Sequence, residues 1–287
     1  VGLLAAGAAL AEQSIALEEV VVTAQKREQS LQETPIAITA FDAESLREQG
    51  IADIEDASQY IPNVQIAESP AGSTGAVIAI RGSVTINPAV TWEQTVGVYL
   101  DGVFIGKTAG GLFDVAELER LEVLRGPQGS LYGKNTVGGA INLITRKPSG
   151  NFGGNISLGL GNYGLQTFGL SVDSDEINDA LSLSLSYLEK RRDGFDYNLA
   201  NNSEFKALDS QAGRLSALYD VSETITVGYS YDWSDLDNTP ALAQMVATPD
   251  YNRPASANLD GAIYDRAKTS GHSVQLKAEL GDITLKS

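Results

Sequence analysis

The stretch ALSLSLSYL, residues 180–188, sets one side of the chain against the other. Leu181, Leu183, Leu185 and Tyr187 alternate with Ser182, Ser184 and Ser186. Successive side chains of a strand point to opposite faces, so a period of two makes one greasy face and one hydroxyl face. The same alternation recurs in ITVGYSYDW, residues 225–233, where Ile225, Val227, Tyr229, Tyr231 and Trp233 share a face. It recurs again in SVQLKAEL, residues 273–280, with Val274, Leu276, Ala278 and Leu280. Weaker versions run over Ile156–Leu160, Phe168–Val172 and Leu215–Tyr219, and a further strand begins at Ile283. These runs are near the ~9–11 residues that a tilted strand needs to cross a bilayer.

The connections carry a second signal. After a tight turn near Gly161 they run short, long, short, long, short. DSDEIND, DVSE and Gly281-Asp282 are short, whereas RRDGFDYNLANNSEFKALDS and the stretch from Asp235 to about Thr269 are long and polar. Short turns on one rim and long loops on the other mark an outer-membrane barrel. Tyr187 and Trp233 stand toward long-loop ends and Tyr219 toward a short-turn end, the girdle positions of such a wall. A soluble antiparallel sandwich also alternates, but its turns come every ~8–12 residues. Serine faces buried against a dry interior, with leucines turned to open space or another sheet, would count against the barrel.

Bulk properties narrow the class. The chain is 43% hydrophobic and 20% charged, so it can fold, and its net charge of −17 argues against nucleic acid as a partner. It has no cysteine and a single histidine, His272, so neither a disulfide framework nor a thiolate or His-rich metal site is expected. No cofactor is expected either. The opening VGLLAAGAALAEQSIA is an apolar run followed by small residues, too short to span a bilayer. It reads as the remnant of a secretory signal peptide, residues 1–16, with Ala9-Leu10-Ala11 or Ser14-Ile15-Ala16 as the cleavage site. Residues 17–31 follow as a polar segment around three valines, Val20, Val21 and Val22. Two readings stay open for it: the first strand of the next domain, or a strand offered to a partner's sheet edge.

Residues 32–148 read as a compact α+β domain, a small mixed sheet with short helices. Asp42 caps AESLREQ, and Gly50 stops it. Asp53 opens a second short helix that ends before Pro62. AVIAIRG, VGVYLDGVFIG and RLEVLRG are short apolar runs, and Asp101-Gly102 predicts a tight hairpin. DVAELER, residues 114–120, is expected to be helical. Residues 149–287 are then the first strands of an antiparallel transmembrane β-barrel.

Between the two lies VLRGPQGSLYGKNTVGGAINLITRKP, residues 123–148, with five glycines from Gly126 to Gly139. Gly133-Lys134 invites a nucleotide reading, but the P-loop spacing fails and Asn135 stands where Ser or Thr is needed. The glycines read either as a device of backbone shape, permitting positive φ and close approach to another surface such as a barrel wall, or as a plain glycine-rich surface loop. Pro127 stiffens the first turn, and Leu131 and Tyr132 can anchor the loop by packing.

Taken together, EEVVVTAQKREQSLQETPIAITAF, IAIRG, VGVYLDGVFIG and LERLEVLRGPQGSLYGKNTVGGAINLITRKP resemble the plug region of TonB-dependent outer-membrane receptors. The string LRGPQGSLYGKNTVGGAINL is the specific part. The resemblance implies a plug inside a barrel of ~22 strands, in a Gram-negative outer membrane. On that scale the chain is expected to be a fragment. It implies a TonB box at Glu19, Val20, Val21, Val22, Thr23 and Ala24 that pairs with TonB. It assigns structural or gating roles to Arg81, Gly82, Arg125, Gly126, Pro127, Gly129, Tyr132, Gly133, Gly138 and Gly139. Arg81 and Arg125 are expected either to pair with the barrel wall or to anchor turns of the plug itself. The implied activity is energy-coupled uptake of a scarce extracellular nutrient, most commonly a ferric siderophore or similar metal chelate; an oligosaccharide, cobalamin or aromatic compound are alternatives. Trp92, Tyr99, Phe104 and Phe113 are candidates to stack on it, though core packing explains them as well. A passive porin or adhesin is the rival class. An enzyme is not expected: no G-x-S-x-G elbow appears, and His272 lies on an alternating strand.

Overall fold

The structure is a computed structural model. It describes residues 21–27, 29–51, 53–69, 72–86, 91–106, 117–241, 256–257, 264–281 and 283–287. The apolar N-terminal run, Glu19, Val20 and Phe113 lie outside these residues. So does the first part of DVAELER.

The N-terminal half packs a two-stranded ribbon, two larger sheets and two capped helices. Val21–Val22 (β1) pairs antiparallel with Gln29–Ser30 (β2). Ile38–Asp42 (β3) leads directly into helix Ala43–Glu48 (α1), because Asp42 Oδ1 accepts from Ser45 N at 2.8 Å. Helix Ile54–Ser58 (α2) starts in the same way, Asp53 Oδ1 accepting from Asp56 N at 2.9 Å. Each cap satisfies an N–H that the first turn leaves without a partner. Val64–Ser69 (β4), Gly72–Ile80 (β5) and Ser83–Val84 (β6) form an antiparallel three-stranded sheet. Val96–Leu100 (β7) and Val103–Phe104 (β8) form the hairpin that Asp101-Gly102 predicts, with φ of 49° and 86° at the turn.

Leu118–Arg125 (β9), helix Gly129–Tyr132 (α3) and Gly139–Thr145 (β10) complete the second sheet, in the order β3-β9-β10-β7-β8. It is mixed: β10 runs parallel to β7 and antiparallel to β9. The helix expected over residues 114–120 is overturned at its end, since Leu118–Arg120 belong to β9. That strand lies between β3 and β10, and two ladders outweigh the local preference of ELER. Ile54, Ile80, Leu121, Val123, Ile141 and Leu143 form the centre of the core.

The C-terminal half is one antiparallel sheet. Its strands are Gly153–Leu160 (β11), Gln166–Asp173 (β12), Leu181–Arg192 (β13), Leu208–Ser222 (β16), Ile225–Asn238 (β17), Asp265–Leu280 (β19) and Ile283–Lys286 (β20). Asp196–Asn198 (β14), Glu204–Phe205 (β15) and Ser256–Ala257 (β18) make a small sheet in the long connections. No helix among the described residues is long and apolar enough to cross a membrane; the candidate spans are strands.

The faces decide between wall and sandwich. Leu158 and Leu160 are 80% and 89% exposed, and Ile156, Leu185, Leu215 and Val274 are exposed too. Among the described residues no second sheet covers them, and so large an apolar surface suits lipid. Ser182, Ser184, Ser186, Ser210, Ser216, Ser230 and Ser234 on the other face are buried. That burial is not dry apolar packing: the N-terminal half approaches this face through polar groups, such as Gln275 Nε2 donating to Asp101 O at 3.0 Å.

The apolar border also crosses the ladder obliquely. It stands at Leu160 on β11, which is level with Arg191 through Gln166, and falls to Val274 on β19, level with Leu183. That drop is ~27 Å over five strand spacings of ~4.8 Å, a slope of ~45°, the tilt of a membrane-crossing strand. Two aromatics stand near it, level with one another through Gly213. The Tyr187 and Trp233 rings lie 6.0 Å apart, reaching across β16 at Gly213, where a Cβ would meet Trp233 Nε1 at 2.5 Å.

Candidate functional site

The segment Val21–Ala24 is folded onto the plug. Val22 and Ala24 are buried with Tyr99, Leu124, Tyr132 and Ala140. Thr23 N donates to Glu122 Oε1 at 2.7 Å, and its hydroxyl donates to the same oxygen at 3.1 Å. Glu122 is fully buried in the centre of β9. Arg120 Nε donates to Oε1 at 2.8 Å and Asn142 Nδ2 to Oε2 at 3.1 Å, so the buried charge is matched.

The glycine-rich loop supplies the other half of the clasp. Tyr132, at the end of α3, donates its hydroxyl to Ala24 O at 2.9 Å and accepts from Asn142 Nδ2 at 2.7 Å. Tyr99 in turn donates its hydroxyl to Tyr132 O at 2.6 Å, and the two rings meet edge to face. Lys26 lies over the Tyr132 ring, 4.3 Å from its centroid. Burial pushes the Tyr132 hydroxyl up to about 12 and lowers the Lys26 amine from its ordinary range. Asn142 Oδ1 finds no partner among the described residues.

Backbone groups of the segment are also occupied. Val21 pairs with Ser30 and Val22 with Gln29, while Thr23 O accepts from Lys26 N at 2.8 Å. Strand addition by a partner requires these groups to be freed.

The glycine loop is tied at both ends: Gly126 N donates to Gly138 O and Gln128 N to Thr136 O. Its close approaches among the described residues are internal to the plug. At Gly139 a Cβ would meet Leu124 O at 2.2 Å, and at Gly138 it would meet Ser83 Cβ at 2.8 Å. Gly82 and Gly133 hold positive φ at turns, whereas a Cβ at Gly129 would meet open space. Pro127 lies between Gly126 and the start of the loop's helical turn. Leu131 is exposed, so Tyr132 alone of that pair anchors the loop. Lys134 reaches an exposed Glu93 at 3.0 Å, a surface pair.

Of the two readings of the arginines, the side-chain contact of Arg125 matches turn anchoring. Arg125 N donates to Ala37 O and Arg125 Nη1 to Pro62 O at 3.2 Å; Arg81 N donates to Asn63 O. Neither makes an ion pair with the wall among the described residues. Among the aromatics, Tyr99 is core, while Trp92 and Phe104 are exposed. Glu122, Asn142 and Asp101 were missed as site residues by sequence reasoning.

A plug seated on the hydroxyl face of a lipid-facing wall, with an N-terminal strand clasped to it, defines a class: the plugged-barrel outer-membrane receptors. Residues 30–140 match the model of the TonB-dependent Receptor Plug Domain. Residues 30–140 thus carry a plug domain of the TonB-dependent receptor family, and the strands that follow share the fold of solved receptors. It is 26% identical over 288 residues to the Vitamin B12 transporter BtuB of Vibrio vulnificus, covering 88% of this chain and 46% of that protein. It is 31% identical over 164 residues to an iron-regulated outer membrane virulence protein of Vibrio cholerae, covering 55% of this chain and 24% of the relative. The ferric yersiniabactin uptake receptor FyuA of Yersinia pestis shares its fold, with a TM-score of 0.75 at 21% identity over 88% of this chain and 39% of that one. The chain therefore spans less than half the length of these relatives.

Proposed function

We propose that the protein to which this chain belongs imports a scarce nutrient across the outer membrane, with TonB supplying the work. Residues 32–148 are its plug and 149–287 the leading part of its barrel, behind a cleaved signal peptide. The observation that carries this is the clasp: a short segment, Val21–Ala24, held on the plug by the buried Glu122 and Tyr132. A passive pore has no use for a releasable strand ahead of its stopper. Nutrient bound at the long loops loosens the clasp. The segment Glu19–Ala24 then leaves the plug, and TonB adds to it as a strand. Arg81, Arg125 and the glycines from Gly126 to Gly139 hold the shape of the plug while this happens.

The cargo proposed is a ferric siderophore, in keeping with the iron-regulated relative and the ferric-siderophore receptors that share the fold. Cobalamin is the second reading, because the Vibrio vulnificus relative aligned over most of the chain is a vitamin B12 transporter. The test is uptake by cells producing the intact receptor, using radio-iron on hydroxamate and catecholate carriers and labelled cyanocobalamin. One of these should accumulate only with TonB present, and Val21→Pro should abolish it by removing a backbone donor from the paired strand. Accumulation that persists without TonB would return the protein to the porin class.

A further inference from the structure

The tip of the β7–β8 hairpin is fastened to the wall. Asp101 Oδ1 accepts from Thr145 N at 2.9 Å, and Oδ2 accepts from Thr145 Oγ at 2.8 Å and Arg214 Nη2 at 2.7 Å. Its carbonyl accepts from Gln275. One residue thus joins the hairpin, the end of β10, and two wall strands, β16 and β19. Arg214 is 10% exposed on the inward face of β16 and uses all three of its nitrogens. Besides Asp101, it donates from Nη1 to Asp232 Oδ1 at 2.6 Å and from Nε to Ser216 Oγ at 3.0 Å. A cavity of about 60 Å³ lies beside the group, bordered by Thr145, Arg146, Ser230 and Gln275. The inward wall around it is mostly serine, which offers a neighbour single neutral hydrogen bonds. A guanidinium held between two carboxylates makes shorter, stronger, directed ones.

We propose that the Asp101–Arg214–Asp232 group is a pin that holds the plug against the wall, independently of the clasp on Val21–Ala24. Its polarity is opposite to a pairing of plug arginines with the wall: the acid is on the plug and the base on the wall. The two carboxylates make the group asymmetric. Removing Arg214 leaves two acids facing each other, whereas neutralising Asp101 leaves the Arg214–Asp232 pair intact. Loosening should therefore be greater for Arg214→Met than for Asp101→Asn. The pin rests on the reading of the chain as a plug within a barrel wall, and its role is to keep the passage shut in the absence of work by TonB.

The test uses the intact receptor in cells lacking TonB, with susceptibility to vancomycin, a bulky polar antibiotic, as the readout and surface labelling to measure receptor amount. The unaltered receptor should not sensitise the cells. Arg214→Met should lower the inhibitory concentration several-fold and Asp101→Asn by less. The double variant should leak no more than Arg214→Met alone, because both changes act through one contact. Unchanged susceptibility in both single variants at normal receptor levels would overturn the pin, as would a double variant whose effect is the product of the two. Should Arg214→Met accumulate poorly, Asp101→Asn decides, since it is isosteric and asparagine tolerates the left-handed turn. No TonB is present, so the result does not depend on energised uptake. Failure of the transport proposal would show itself separately, as uptake by the unaltered receptor that is indifferent to TonB.

Discussion

Thr23 directs its amide and its hydroxyl to one buried oxygen of Glu122. Hydrogen bonds to a charged group are worth ~1.5–3 kcal/mol each, so this contact dominates the docking of the segment. Thr23→Val should remove the hydroxyl bond and raise the released population about ten-fold, read as the mobility of a spin label on a cysteine at Gln25 in the intact receptor. Tyr132→Phe should act in the same direction, by losing the bond to Ala24 O. The docked state should also fail at high pH. Burial holds the Tyr132 hydroxyl near 12 in place of 10.0, so its contribution is complete below about pH 10 and is lost as pH rises toward 12. The same label should sharpen over that window, and Tyr132→Phe should flatten the response. On the wall, Gly213→Val should displace the Trp233 indole from its seat over β16 and lower the barrel's melting temperature.

At the scale of elements, α1 and α2 each depend on one aspartate. Asp42→Ala should cost about 1 kcal/mol of plug stability, the usual loss for an N-cap, measured by denaturant unfolding of the intact receptor. The hydrogen bond from Ser45 N holds the Asp42 carboxyl below its ordinary range. Its share of stability is therefore present above that range and lost as pH falls through the lowered value. These caps, the Asp101-Gly102 turn and the alternating wall strands were legible in the sequence because their causes are local: a side chain three residues from its target, or a period of two. Leu118–Arg120 were not legible as strand, because only the ladders on either side of β9 make them one. Strand β3 escaped notice for the same reason.

At the scale of the molecule, the order of plug and wall could be read, but the bonds that join distant parts could not. Glu122 lies 99 residues from Thr23, and Arg214 lies 113 from Asp101. In the sequence Glu122 is one charge in LERLEVLR, with nothing to distinguish it from a solvated neighbour. Only a central strand covered on both faces turns it into a buried acceptor. The serine faces show the converse. Their alternation was legible strand by strand, whereas the plug that covers them is encoded elsewhere in the chain. On the two proposals the work is divided: the clasp would set whether Val21–Ala24 is available, and the pin would help keep the plug seated when it is.

The availability of that strand is what the account depends on. The chain has no cysteine of its own, so a single cysteine placed in turn at positions 20 to 24 of the intact receptor can report on pairing with a cysteine in TonB. The account predicts disulfides at alternating positions, increased by Glu122→Gln, which weakens the clasp, and absent when Val22 is replaced by Pro. Receptor present at normal levels that forms no such cross-link at any of these positions, with or without the clasp, would contradict it.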